Sequence, residues 1–287
     1  MSQSANLAVP SAAAAAASAR PAVEGAIARA ARATGVDFGY LLAQARIESG
    51  LNPAARAGTS SAAGLYQFTK GTWLSTLEAH GAEHGLPWAE TAIDGGRVAD
   101  PALRQRLLAM RHDPELSARM AAELAADNGA ALKGVLGREP DAAELYMAHF
   151  LGAEGAGRFL SALAADPSQN AAALLPQAAS ANRPIFYGPG GAPRSVGGVM
   201  ELMRGKMAGA MEASGLPATA TLALSEGGWQ APAWAPPPAW NAAPEAAPAP
   251  QGPRASMAET LAATFGGNDA MPDRVRAAYG KLRAFGL

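Results

Sequence analysis

Residues 35–73 read GVDFGYLLAQARIESGLNPAARAGTSSAAGLYQFTKGTW, and the reading of the whole chain turns on this stretch. Asp37 is a good N-cap, because its carboxylate can accept from the free amides of a first helical turn. Phe38, Leu41, Leu42 and Ala45 recur at helical spacing and predict one apolar face. Gly50 suits the stop, and Asn52-Pro53 marks the end of the helix. Steps of three, four and three residues, from Phe38 through Leu41 and Ala45, carry Glu48 onto that same face. A carboxyl group there is held against carbon and lies near the negative end of the helix dipole, and both effects disfavour its charged form. Such tuning suits a general acid. By itself, a glutamate in a last helical turn fits a solvated surface charge equally well.

The residues that follow favour the chemical reading. Ser60-Ser61-Ala62-Ala63-Gly64 is a small-residue turn leading into Leu65-Tyr66-Gln67-Phe68. Small residues let backbone or ligand approach closely, and Gln67 offers both a donor and an acceptor. Thr69 can cap a second helix carrying Trp73, Leu74 and Leu77. An acid on one helix and a glycine-containing turn ending in Gln predict a polar cleft for a neutral, amide-bearing ligand.

Glu48-Ser49-Gly50-Leu51-Asn52-Pro53, then Gly64-Leu65-Tyr66-Gln67, then Thr72-Trp73 resemble the ESxxNP…GLMQ…T pattern of the soluble lytic transglycosylases. The resemblance covers roughly residues 22–184. It implies a lysozyme-like helical fold and cleavage of the peptidoglycan bond between N-acetylmuramic acid and N-acetylglucosamine. It implies Glu48 as the single acid and base, with 1,6-anhydro ends as product. Substrate contacts are expected from Gln67, from Ser60, Ser61 and Gly64 through the loop, and from Tyr66 as a cleft wall. The family's third block, an Ala-Tyr-Asn triplet, is altered to Ala148-His149-Phe150, so Tyr146 or His149 is expected to replace the missing hydroxyl. Two rival readings remain: a goose-type-like hydrolytic muramidase, and a wall-binding or assembly protein of a phage or secretion apparatus with weak or no activity.

Composition bounds the alternatives. With 23 basic and 24 acidic residues there is no basic field to attract nucleic acid. The absence of cysteine removes disulfides and thiolate chemistry. No run is long and apolar enough for a membrane span. Abundant alanine favours helix. The site of action implied is the periplasm or cell wall, with the export route left open because residues 1–20 make a poor signal peptide.

An all-α chain is expected, in five parts. Residues 1–21 read as a disordered Ala/Ser-rich tail, with Pro21 opening the first helix. Residues 22–184 form the catalytic domain, with helix starts at Asp100-Pro101, Pro114 and the Asp141–Glu144 capping box, the last of these helices ending at Gly152 and a further one running from about Ala156. Residues 185–215 add an amphipathic helix with Val199, Leu202, Met203 and Met207, which either packs on the core or caps a partner surface. Residues 216–256 are a Pro/Ala-rich linker holding Trp229, Trp234 and Trp240, and residues 257–287 are a short helical segment suited to docking a protein partner.

No cofactor or metal is implied. Glu78, Glu83, Glu90 and Asp94 are candidates for a second carboxylate in a hydrolytic variant, each equally a surface charge. Arg46 and Arg56 flank the main motif and are candidates for muropeptide carboxylates, whereas Arg104, Arg106 and Arg111 read as a mostly solvated face. His80-Gly81-Ala82-Glu83-His84 matches the HxxEH pattern of some zinc proteases, but Gly81 and Gly85 weaken the helix such a site needs.

Overall fold

Trp73 shows how this chain uses its large side chains: it is fully buried, and its indole N–H donates to the Leu107 carbonyl at 2.8 Å. The structure is a computed structural model and describes residues 12–216. Among these residues the fold is all-α, with isolated bridges and no sheet. In chain order the helices are Ala12–Thr34 (α1), Phe38–Ser49 (α2), Lys70–His80 (α3), Ala89–Ala92 (α4), Pro101–Ala109 (α5), Pro114–Leu136 (α6), Ala142–Ala165 (α7), Ala171–Leu174 (α8), Pro176–Ala181 (α9), Arg183–Phe186 (α10) and Val196–Glu212 (α11). The linker with Trp229, Trp234 and Trp240, and the segment 257–287, lie outside the described residues.

The caps form as the residue types dictate. Asp37, Thr69, Asp100, Asp113, Asp141 and Ser195 each accept a backbone N–H of the first turn they precede. The Asp141–Glu144 box closes in both directions. Arg138 then forks onto both Glu144 oxygens at 2.7 Å. Gly50 ends α2 in the left-handed region, returning its N–H to the last turn.

α2 is the central helix. Every residue from Gly39 to Ala45 is buried, not one stripe, so the periodicity of Phe38, Leu41, Leu42 and Ala45 understated its enclosure. α1, α6 and α11 pack around it, and α7 packs on α6 and α11. The apolar side of α1 is Val23, Ala26, Ile27 and Ala30.

Two expectations need correction, and one alternative is decided. α1 does not open at Pro21: it starts at Ala12, and Pro21 lies inside it. Alanine's high helix propensity carries the helix through one missing N–H. α11 takes the first of its two expected placements: Val196, Val199, Met200, Met203 and Met207 are buried against α2 and α7. Arg111 is not solvated but buried, with consequences set out below.

Gly152 interrupts α7. At φ 75° and ψ 160° it breaks the helical path between the Asp141-capped half and the half that carries Phe159 and Leu160. The expected stop at Gly152 and restart near Ala156 thus appear as one kinked element.

Candidate functional site

The end of α2 and the first half of α7 meet at Glu48. The Tyr146 hydroxyl donates to Glu48 Oε1 at 2.9 Å. His149 Nε2 lies 3.5 Å from the same oxygen. Tyr146 and His149 are one helical turn apart, so their rings stack with centroids 6.0 Å apart and 20° between planes. The Glu48 side chain is 19% exposed, which leaves the group reachable from solvent but mostly walled by protein. Burial, then the Glu48 charge and the hydrogen bond to it, push the Tyr146 phenol far above the usual tyrosine range. Tyr146 therefore stays a donor at any working pH. Tyr40, buried on α2, is raised in the same way by burial and then by Glu48.

In the loop between α2 and α3, residues 52–61 are largely exposed, whereas residues 63–66 and Phe68 are buried. Ser49 donates its hydroxyl to the Ala45 and Leu65 carbonyls, which ties the end of α2 to the loop. Arg111 sends its guanidinium to the carbonyls of Leu108, Ser61 and Phe68, so one buried cation collects three backbone acceptors. Burial, then the charge of Arg56, hold Arg111 below the usual arginine range. Sequence reading missed this role because Arg111 follows α5 in a short 3-10 turn, where helical periodicity says nothing of direction.

The expected contact residues divide. Tyr146, by a hydrogen bond, and His149, at 3.5 Å, converge on Glu48 Oε1. Gln67 is half-buried and turned inward: its Nε2 and its backbone N–H both donate to the Gly64 carbonyl, and it holds φ at 49°, a left-handed value that side chains resist. Gly64 is enclosed. Its N–H donates to the Ala55 carbonyl, its φ is +83°, and a Cβ would collide with the Arg111 carbonyl oxygen. The close approach that this glycine permits is to protein backbone, not to a ligand. Tyr66 is fully buried and is no cleft wall; its hydroxyl has no partner among the described residues. Ser60 and Ser61 are exposed, with hydroxyls accepting from the Ala62 and Lys70 amides.

The other candidates are mostly engaged elsewhere. Glu78 accepts from the amides of Gly95 and Gly96 and holds that turn. Arg46 donates to the Ser214 hydroxyl, which anchors the end of α11. Glu83 stands beside His80 and Glu123, away from any bond to the Glu48 group. A cavity of about 760 Å³ opens where Gly152 kinks α7, lined by Phe150, Gly152, Arg158, Leu175, Gln177 and Asn182. Glu48, Tyr146 and His149 do not line it, and its volume is in the range of small-molecule sites, roughly 300–1,000 Å³. No protein-family model matches the chain.

Proposed function

We propose that the protein is a peptidoglycan lytic transglycosylase in which Glu48 is both acid and base. The observation that carries the reading is the Tyr146 hydroxyl donating to Glu48 Oε1 at 2.9 Å. That bond fixes one oxygen and leaves Oε2 to hold the working proton. Geometry comes before tuning for a candidate acid, and here one carboxyl group is aimed and partly sheltered.

Glu48 gives its proton to the glycosidic oxygen as the bond to the muramoyl anomeric carbon breaks, and the glucosamine 4-hydroxyl leaves. Positive charge develops at that carbon. The Glu48 carboxylate, still bound by Tyr146, takes the proton of the same sugar's 6-hydroxyl. The 6-oxygen closes on the anomeric carbon to give the 1,6-anhydro ring. Water is not consumed and Glu48 ends protonated, so one carboxyl group suffices where most glycosidases use two. The engagement of Glu78 with the Gly95–Gly96 turn supports this over a pair built on that residue. The kink cavity, with Arg158, Gln177 and Asn182 on its wall, is a place for a neighbouring sugar or its peptide.

Digestion of purified murein followed by mass spectrometry of the products tests the reaction. Anhydro ends, lighter than reducing ends by one water, are expected from the intact chain and absent with Glu48→Gln. Reducing ends alone would make it a hydrolytic muramidase. Equal inactivity of the intact chain and Glu48→Gln, with retained murein binding, would make it a wall-binding or assembly protein. Action on murein places the working site in the periplasm or cell wall.

A further inference from the structure

We infer that His80, Glu83 and Glu123 form a binding site for a divalent first-row transition-metal ion of the zinc class, clamping the end of α3 to α6. One ligand atom from each of these residues lies within 4.8 Å of the others. His80 closes α3, Glu83 sits on the 3-10 turn Gly81–His84 that follows, and Glu123 comes from α6.

The geometry around each ligand is that of a supported site. His80 Nε2 lies 2.9 Å from Asp127 Oδ2. A carboxylate can only accept, so that nitrogen carries the hydrogen, and in the neutral ring Nδ1 keeps its lone pair. Nδ1 is the atom that faces Glu123 Oε2, at 3.7 Å. Two ligands of a tetrahedral ion with bonds of about 2.1 Å sit about 3.4 Å apart, so the existing gap is close to what an ion requires. Glu123 is held in turn: His84, buried, lies with Nε2 2.7 Å from Glu123 Oε1, which leaves Oε2 turned toward His80. Asp127 and His84 thus orient the first two ligands, as second partners do in metal sites. Glu83 is exposed and has no partner among the described residues, so it is free to rotate in as the third. One imidazole and two carboxylates leave a position for water. That donor set suits zinc ahead of manganese by the usual order of affinity, and it offers little to calcium.

This site shares no residue with the Glu48 group and does not depend on the proposed reaction. It is also not the protease arrangement that the HxxEH pattern suggests. The helix ends at His80, and His84 faces Glu123 as its support.

The test uses the full chain without a polyhistidine tag, stripped with EDTA and then titrated with zinc sulfate by calorimetry. One saturable equivalent is expected, with a rise in melting temperature on adding zinc and none on adding magnesium. Glu83→Gln, at an exposed position, should leave the fold intact and weaken zinc binding about tenfold or more, and His80→Gln should do the same. His112→Gln should leave the affinity unchanged. Absence of saturable binding to the folded chain overturns the inference. So does binding at full affinity in Glu83→Gln, which decides the matter alone should His80→Gln fail to fold.

Discussion

Glu48 and Gly64 sit in neighbouring blocks of one sequence pattern, and the fold treats them differently. Glu48 is bound through one oxygen, by Tyr146, and its side chain is still reached by solvent. Gly64 has both backbone polar groups occupied, to Ala55 and Gln67, and lies against the backbone of Arg111. The contrast separates two demands within a motif. In the proposed reaction Glu48 is held so that it can react, whereas Gly64 and Gln67 are bound into the loop that follows α2. Ser49 joins the two, since its hydroxyl reaches from the end of α2 to Leu65 in the loop.

The largest effect should come from Glu48→Gln. The amide keeps the shape and can accept from Tyr146, but it has no proton of suitable acidity to give. Murein cleavage should fall about 10³-fold, within the range attributed to general acid–base groups. The melting temperature should stay near that of the intact chain. Residual activity close to the original would show that Glu48 is scaffold, and the contrast with Gly64 would disappear.

Gly64→Ala should do the opposite, damaging stability first. A β-carbon must displace the Arg111 carbonyl and adopt a positive φ, with costs of roughly 1–2 kcal/mol for the backbone and 1–3 kcal/mol for the crowding. A loss of about 3 kcal/mol in denaturant unfolding is expected. Activity at low temperature, where the variant is still folded, should fall less than with Glu48→Gln. Unchanged stability with lost activity would make Gly64 a ligand contact after all.

Tyr146→Phe comes next. It removes the donor from Oε1 and leaves the ring stacked on His149. Loss of one hydrogen bond to a charged group is worth roughly 1.5–3 kcal/mol, so a decrease of at least about tenfold in kcat is expected. KM for soluble glycan should change little, because the hydroxyl is committed to Glu48. A change in KM alone would place Tyr146 with the substrate and not with the acid.

How much of this could be read beforehand follows from the same division. Local signals were legible: Asp37, Thr69, Asp100 and Asp141 cap as their residue types require, and Gly50 and Gly152 break helices where they stand. Counting residues left Glu48 balanced between the inward side of α2 and solvent; the contact with Tyr146 from α7 is what shelters it. Tyr146 was legible only as one of two substitutes for a missing hydroxyl, since the choice depends on how α7 meets α2. Contacts between distant segments were not legible. Arg111 gathers carbonyls from Ser61 and Phe68, far away in sequence, and nothing in its own neighbourhood announces this. Pro21 misled because its usual place at a helix start was outweighed by the alanines before it. Tyr66 misled because membership of a motif was taken as exposure.

Tyr66 gives the finest version of the comparison, because Tyr66→Phe removes one oxygen from each of two competing readings. As a cleft wall, Tyr66 would lose a substrate contact and activity would drop. The side chain is instead fully enclosed, its hydroxyl has no partner among the described residues, and burial, followed by the influence of Tyr40, drives its phenol well above the usual range. A buried donor left unpaired costs roughly 1–3 kcal/mol, and deleting it returns part of that while opening only a small void. Stability should therefore stay level or rise by up to about 1 kcal/mol, with cleavage unchanged. A clear loss of stability would instead mean that an ordered water satisfies the hydroxyl. A selective loss of activity would restore Tyr66 to the substrate and move the boundary between reacting and holding residues deeper into the loop.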